Sequence, residues 1–367
     1  MNSQVTTLLH PEQDTTETLS LHPHIVRSDK RWDGAPYFLY LPHERGDMVF
    51  VDYSININNI ASWPLWQIRS EDFPRDSKAF SVERVQGKGL GLVANRMIAA
   101  GELIYSERPI YAAPRILSCP PDQTDANGIF FRAAMKELST ESRRKFFELH
   151  NAYPSDVDCV PGILNTNCLP LCIDASNPIS HVGCFPTLSR INHDCCPNAK
   201  YSFNLTTFRG EVRAMRLIRA GQEITITYTH LDQPRRERQR ALSQARFFTC
   251  ACKTCSLPLD RRNESDARRE RIQTFKQLED VDFPPRIPLD QLNQVLASAG
   301  EEALVEDYAI VLLIGSQNLT IYDDLDIAIG WVRKAREYFS KFECEGSYYL
   351  RKLDDADRVH RRMQGGT

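Results

Sequence analysis

Strand-like alternation and helical spacing divide the chain into unlike stretches. Phe80-Ser-Val-Glu-Arg-Val85 alternates apolar and polar positions. A glycine loop, Gly87-Lys-Gly-Leu-Gly91, interrupts it, and Leu92-Val-Ala94 and Glu102-Leu-Ile-Tyr105 follow on either side of a turn at Ala100-Gly101. Short strands joined by turns have this signature. Between 127 and 152 the period changes. Phe130, Phe131, Ala134, Met135 and Leu138 recur at helical spacing, and Ser139 or Thr140 is placed to cap a second helix that buries Phe146, Phe147 and Leu149. Strand patterns return after Cys184, in Lys200-Tyr-Ser-Phe203, Glu211-Val-Arg-Ala-Met215 and Glu223-Ile-Thr-Ile-Thr-Tyr228. The last alternates strictly, with Ile224, Ile226 and Tyr228 on one face. Beyond Pro258 the pattern predicts helices near 262–279, 288–298, 301–318, 324–343 and 346–361. The expected class is α+β: small sheets over 80–230 with a helical insert near 115–160, a cysteine-bearing segment over 231–258, and an all-helical region over 259–367. Residues 1–79 form an N-terminal extension. Its first thirty residues are polar and expected to be disordered, and its apolar pieces at 37–41 and 48–53 have no assigned role.

Composition narrows this picture. Among 367 residues, 42% are hydrophobic and 25% charged, the balance of a soluble globular protein. A net charge of −3 gives no electrostatic footprint for nucleic acid. No apolar run is long enough to span a membrane, and no secretory pattern opens the chain. Eleven cysteines, an odd count without an export signal, fit a reducing intracellular compartment, nucleus or cytoplasm.

Four segments carry chemistry. The glycine loop invites a dinucleotide reading, and Glu107 lies at about the right distance. The loop runs into a strand, however, and no helix is available to face a pyrophosphate. It is either a plain tight turn or a loop that offers backbone groups to a ligand at close range. Ser189-Arg-Ile-Asn-His-Asp-Cys-Cys-Pro-Asn198 cannot be helical. It puts an amide, an imidazole and a thiol in one turn. Cys250-Ala-Cys252-Lys-Thr-Cys255 supplies three thiolates within six residues, a spacing suited to tetrahedral zinc. The fourth ligand must come from elsewhere, with Cys195 and Cys196 ahead of His193. Two charged stretches read as solvated helix faces: the arginine-rich run 235–240, whose other reading is nucleic-acid contact, and the acidic stretch 279–326, whose other reading is a wall that attracts basic peptide.

In this order the segments resemble the SET-domain lysine methyltransferases, nearest to SMYD-like and fungal members with a helical C-terminal region. Gly87–Leu92 resembles the first glycine-rich motif, Arg190–Asn198 the R-x-N-H-S-C-x-P-N motif, Gly221–Tyr228 the G-E-E-[IL]-x-[IL]-x-Y motif, and Phe247–Cys255 the post-SET F-x-C-x-C-x-x-C motif. The match covers residues 80–256. Gly162–Asn167 and Ala328–Ala335 extend it less closely. Asp194 and Gln222 depart from the motifs, and the MYND zinc module of SMYD proteins is missing.

The resemblance implies a β-clip fold with a pseudoknot, S-adenosylmethionine as methyl donor, and a structural zinc held by Cys195, Cys250, Cys252 and Cys255. It implies that Lys88, Gly89, Leu90, Asn192 and His193 hold the donor, that Phe248 (or Phe247) packs on its adenine, and that Tyr228 is the catalytic residue at the floor of the lysine channel. The implied partner is a lysine-containing basic protein or peptide such as a histone, and a monomer is expected. The contrasting expectation is a catalytically silent SET-fold scaffold acting through its helical region.

Overall fold

In the computed structural model, which describes residues 24–27, 37–41, 47–52, 60, 62, 79–115, 126–153, 159–173, 180–279, 281, 284–322, 324–343 and 347–365, the strands form three small sheets. The largest is ordered β1 (His24–Arg27), β2 (Tyr37–Leu41), β3 (Met48–Asp52), β7 (Tyr111–Pro114), β9 (His181–Cys184) and β8 (Leu169–Leu171). Its first three strands come from the extension: β1 lies in the stretch expected to be disordered, which the strand overturns for those four residues, and β2 and β3 are the apolar pieces to which the sequence assigned no role. β3 explains why. Met48 and Phe50 enter one core, with Leu39, Phe185 and Phe208, while Val49 and Val51 enter a second, with Phe38, Phe146 and Ile163. A strand buried on both faces has no alternation to read. Each such side chain contributes about 1.5–3 kcal/mol on burial.

The second core is closed by the insert, helices α1 (Ala126–Glu137), α2 (Thr140–Phe147) and α3 (Cys159–Asn167). Ser139 caps α2 by accepting from the Ser142 N–H (3.2 Å), and its own N–H donates to Asp47 (3.1 Å), tying the insert to the strand before it. The spacing did not reveal α3, a short apolar helix carrying Pro161 in its first turn, where a missing N–H costs nothing.

The second sheet is ordered β10 (Asn192–His193), β13 (Glu223–Ile226), β5 (Gly89–Ala94) and β4 (Phe80–Val85). β10 runs parallel to β13, Asn192 opposite Thr225 and His193 opposite Ile226, which sets two of the motif segments side by side. The third sheet joins β11 (Ala199–Asn204), β12 (Arg209–Ala214) and β6 (Leu103–Glu107).

Past α4 (Arg235–Arg246) the chain is helical: α5 (Leu259–Lys276), α6 (Leu289–Glu301), α7 (Val305–Ile321), α8 (Leu325–Phe342) and α9 (Tyr348–Met363). α7 is buried along most of its length, and Gly315 lets the Trp331 ring of α8 close on it. The acidic stretch is not wholly a solvated face. Lys200 of β11 bonds to Glu306 (2.8 Å) and Glu343 (2.5 Å), and Lys276 to Asp232 (2.9 Å) and Asp307 (2.7 Å), so part of that charge turns inward against the sheets. Among the described residues no helix is long and apolar enough to cross a membrane.

Candidate active site and metal centre

The glycine loop is the β4–β5 turn. Gly87 (φ 74°) and Gly89 (φ 79°) take the left-handed conformation that favours glycine, and the Lys88 N–H closes the turn on the Val85 carbonyl (3.0 Å). Gly91 is needed for another reason. A Cβ there would lie 2.6 Å from Asn192 Nδ2 and 3.2 Å from Glu223 Oε1. The bare backbone lets Asn192 Nδ2 donate to Glu223 Oε1 (2.9 Å) and to the Leu90 carbonyl (3.2 Å). Lys88 Nζ donates to Glu223 Oε2 (2.7 Å) and reaches the His193 carbonyl at 3.5 Å. Lys88, Gly89, Leu90, Asn192 and His193 therefore meet at one corner. Glu223, which ties them together, was quoted in the sequence motif but given no role.

The loop after β10 is fastened to β13 from both sides. Asn198 accepts from the Thr225 N–H (2.9 Å) and donates to the Glu223 carbonyl (2.8 Å), while the Asp194 N–H donates to the Ile226 carbonyl (3.0 Å). Ahead of it, Glu107 accepts from the Thr187 N–H (2.8 Å) and Leu188 N–H (2.6 Å) at the start of a 3-10 turn, Leu188–Arg190. The glutamate that suited a dinucleotide motif thus caps the turn leading into the Asn192 loop. Burial pushes its carboxyl up to about 7, against those hydrogen bonds.

Tyr228 follows β13. Its N–H donates to His193 Nδ1 (3.1 Å) and its hydroxyl to the Ile191 carbonyl (2.5 Å). Burial raises the phenol to about 12, so it stays protonated and donates. The Arg246 guanidinium lies 5.3 Å from the ring centroid and donates to the Asn165 (3.1 Å) and Thr166 (2.6 Å) carbonyls at the end of α3. Arg246 drew no attention in the sequence, where it is one arginine among many. Of the two phenylalanines, Phe248 faces the site, 6.2 Å from the His193 ring. Phe247, at φ 58° and half exposed, stacks edge-on with Tyr153 at 4.9 Å.

Cys195, Cys250, Cys252 and Cys255 are buried with their sulfurs within 4.8 Å of one another. Cys195 Sγ is 4.0 Å from Cys250 Sγ and 3.6 Å from Cys255 Sγ. Zinc–sulfur bonds of about 2.3 Å in a tetrahedron set sulfurs about 3.8 Å apart, so the cluster fits the ion. Cys196 points away, toward Arg216 (3.2 Å). The surroundings of Cys195 give a second test. His193 Nδ1 accepts a backbone N–H, so its proton sits on Nε2, 3.3 Å from Cys195 Sγ. Arg238 Nε also donates to that sulfur, at 3.4 Å. A sulfur receiving two N–H donors suits a thiolate, the metal-binding form. Arg238 corrects the reading of run 235–240 as a solvated face: it is 1% exposed.

Residues 89–229 match the family model described as SET domain. A protein of Schizosaccharomyces pombe, histone-lysine N-methyltransferase set5, is 29% identical over 301 residues, 80% of this chain and 88% of its own length. Human N-lysine methyltransferase SMYD2 is 33% identical over 187 residues, 45% of this chain and 42% of its own length, so the chain spans less than half of that relative. The solved structure described as Rubisco LSMT bound to AdoMet matches 82% of this chain and 91% of its own, at 14% identity and a TM-score of 0.32.

Proposed function

Because the chain carries a SET domain over residues 89–229, we propose that it is a protein-lysine N-methyltransferase using S-adenosylmethionine, acting on a lysine in a basic protein segment such as a histone. The observation that carries this is the convergence of the Asn192–His193 loop, the β4–β5 turn and Tyr228 on one corner, beside a four-cysteine cluster. The names of the S. pombe and human relatives support the reaction class, and the former supports histone as substrate. Cysteines that are all free among the described residues suit a reducing compartment, nucleus or cytoplasm.

The bound donor supplies an electrophilic methyl group on sulfur. The chain has to position two reactants, exclude water and favour a neutral lysine. Backbone groups of Lys88 and Leu90, with Asn192 and the backbone at His193, hold the donor's amino-acid end. Glu223 fixes the Asn192 amide and the Lys88 ammonium in place. Phe248 covers the adenine. The Tyr228 hydroxyl, protonated and anchored on the Ile191 carbonyl, orients the amine at the channel floor. A dry channel lowers the substrate lysine's pKa, so its proton is lost to solvent before the nitrogen attacks. The cysteine cluster would hold zinc with four protein ligands, a closed site that shapes the Cys195 loop and takes no part in the chemistry.

The test is tritiated S-adenosylmethionine with a panel of histones and cell lysate. Label should appear on protein and vanish in Tyr228→Phe. Donor binding without transfer to any substrate would instead favour a silent SET-fold scaffold.

A further inference from the structure

Among the described residues the two largest fully buried side chains are arginines, Arg238 and Arg269. Both lie against Cys195. Arg238 Nε donates to its sulfur (3.4 Å), and its Nη1 donates to the Gln233 carbonyl. Arg269, on α5, donates from Nη2 to the Cys195 carbonyl (3.4 Å), from Nη1 to the Leu231 carbonyl, and from Nε to Glu302 Oε2 (2.9 Å).

The charges do not balance within the protein alone. Among the described residues no carboxylate pairs with Arg238. The one carboxylate on Arg269, Glu302, also takes Arg268 (2.7 Å), which has Glu301 as well (3.3 Å), so Arg238, Arg268 and Arg269 together meet two carboxylates. Two adjacent buried guanidiniums with one shared carboxylate leave an uncompensated positive charge, which is strongly destabilising in a dry interior. Four neutral thiols would not supply the missing anion. Four thiolates around a divalent ion would, since such a centre carries a net double negative charge. On that side Arg238 Nε points at the Cys195 sulfur. In the other direction, Arg269 and Glu302 belong to α5 and the residue just after α6, while Cys195 lies two residues beyond His193 of the donor corner.

We propose that Arg238 and Arg269 are the counter-charges of the metal centre and that, through Arg269 and Glu302, the metal's charge holds the C-terminal helices against the Asn192–Cys195 loop. This rests on the reading that the cysteine cluster holds a metal. Both arginines are positioning residues: they touch a ligand's sulfur or backbone, and no reacting atom. Without the metal, the anion that satisfies them disappears. The α5 contact with the loop should then loosen even though every apolar contact inside the helical region is intact.

The experiment uses the full chain as purified. Its zinc content is measured, then the rate of zinc transfer to a colorimetric chelator, then amide hydrogen exchange along α5 before and after the metal is stripped. Wild type should contain zinc. Arg238→Met, folded by circular dichroism, should release it about 10–100-fold faster, while Arg238→Lys, which keeps the charge, should stay nearer to wild type. Stripping wild type should speed exchange in α5 around Arg269 by about tenfold or more and leave α7 and α8 unchanged. A folded Arg238→Met with wild-type zinc release overturns the proposal, as does α5 exchange indifferent to the metal. If Arg238→Met does not fold, the wild-type exchange comparison decides alone. Wild type without zinc overturns both this proposal and the metal reading. Zinc present with α5 indifferent overturns this proposal only.

Discussion

Replacing Gly91 with alanine tests the donor corner through a single methyl group. The backbone there has no positive φ, so alanine adds no conformational strain. The added Cβ would lie 2.6 Å from Asn192 Nδ2 and 2.8 Å from Val85 Cγ2. Ordinary contact begins at 3.4 Å, so the amide must retreat by 0.8 Å. A shift of that size breaks the 2.9 Å bond to Glu223 and the 3.2 Å bond to Leu90. Two hydrogen bonds at about 0.5–1.5 kcal/mol each set the loss of preorganisation at about 1–3 kcal/mol. If Asn192 holds the donor, affinity should fall about 5- to 150-fold. Overpacking should cost a further about 1–3 kcal/mol of global stability. Calorimetric titration with S-adenosylhomocysteine reads the first quantity and urea unfolding the second. Wild-type affinity in a folded Gly91→Ala would refute the assignment of Asn192 to the donor, because the amide cannot remain where it stands.

Further outcomes follow from the same geometry. Tyr228→Phe removes the hydroxyl on the Ile191 carbonyl; thermal unfolding should register a loss of only about 1 kcal/mol while methyl transfer falls at least about 100-fold, and equal effects on both would make this a structural tyrosine. Glu107 holds its proton more tightly in the fold, at about 7, than at its ordinary 4.5. Its contribution is therefore fully present below about pH 4.5 and lost as pH rises through 7. Glu107→Gln should flatten stability against pH across that window in urea titrations, and a parallel profile would remove the buried acid from the account. Lys200→Met leaves Glu306 and Glu343 without their shared cation. The urea midpoint should drop by the equivalent of about 1–3 kcal/mol, and an unchanged midpoint would mean that solvent already screens both carboxylates.

Much of the site could be read in advance because its residues sit in short motifs with local reasons for their identity. The turn at Gly87 and Gly89 needs positive φ, and the Cys250–Cys255 spacing suits one ion. Between Cys195 and Cys196 the spacing could not choose, since the choice depends on which thiol the Asp194 turn points inward, and the fold selects Cys195. Helices beyond Pro258 were legible from periodicity to within a few residues. β3 was not, because double-sided burial erases alternation, and α3 was not, because an apolar nonamer is too short to show a period. Arg238 and Arg246 were the hardest to see. Arg238, inside a charged run, looks solvated until the fold supplies a sulfur for it, and Arg246 is one arginine among many until the fold supplies a tyrosine ring and two helix-end carbonyls. Glu223 stood in view but gained a role only when β13 came to lie beside β5.

The distance along the chain between Cys195 and its neighbours has a consequence for synthesis. Two of its sulfur neighbours, Cys250 and Cys255, lie 55 and 60 residues later. At about 5–20 residues per second, a ribosome that has just added Cys195 needs roughly 3–12 seconds to add them. Until they are added the Cys195 thiol lacks those neighbours, and the strand that fixes the loop, β13, is completed only about halfway through the interval. The β4–β5 hairpin can form from local contacts during elongation, but the corner it faces must wait for Asn192 and Glu223, and the sulfur cluster for Cys255. Metal supply and thiol reduction at the time of translation therefore bear on how much of the newly made protein reaches its working form.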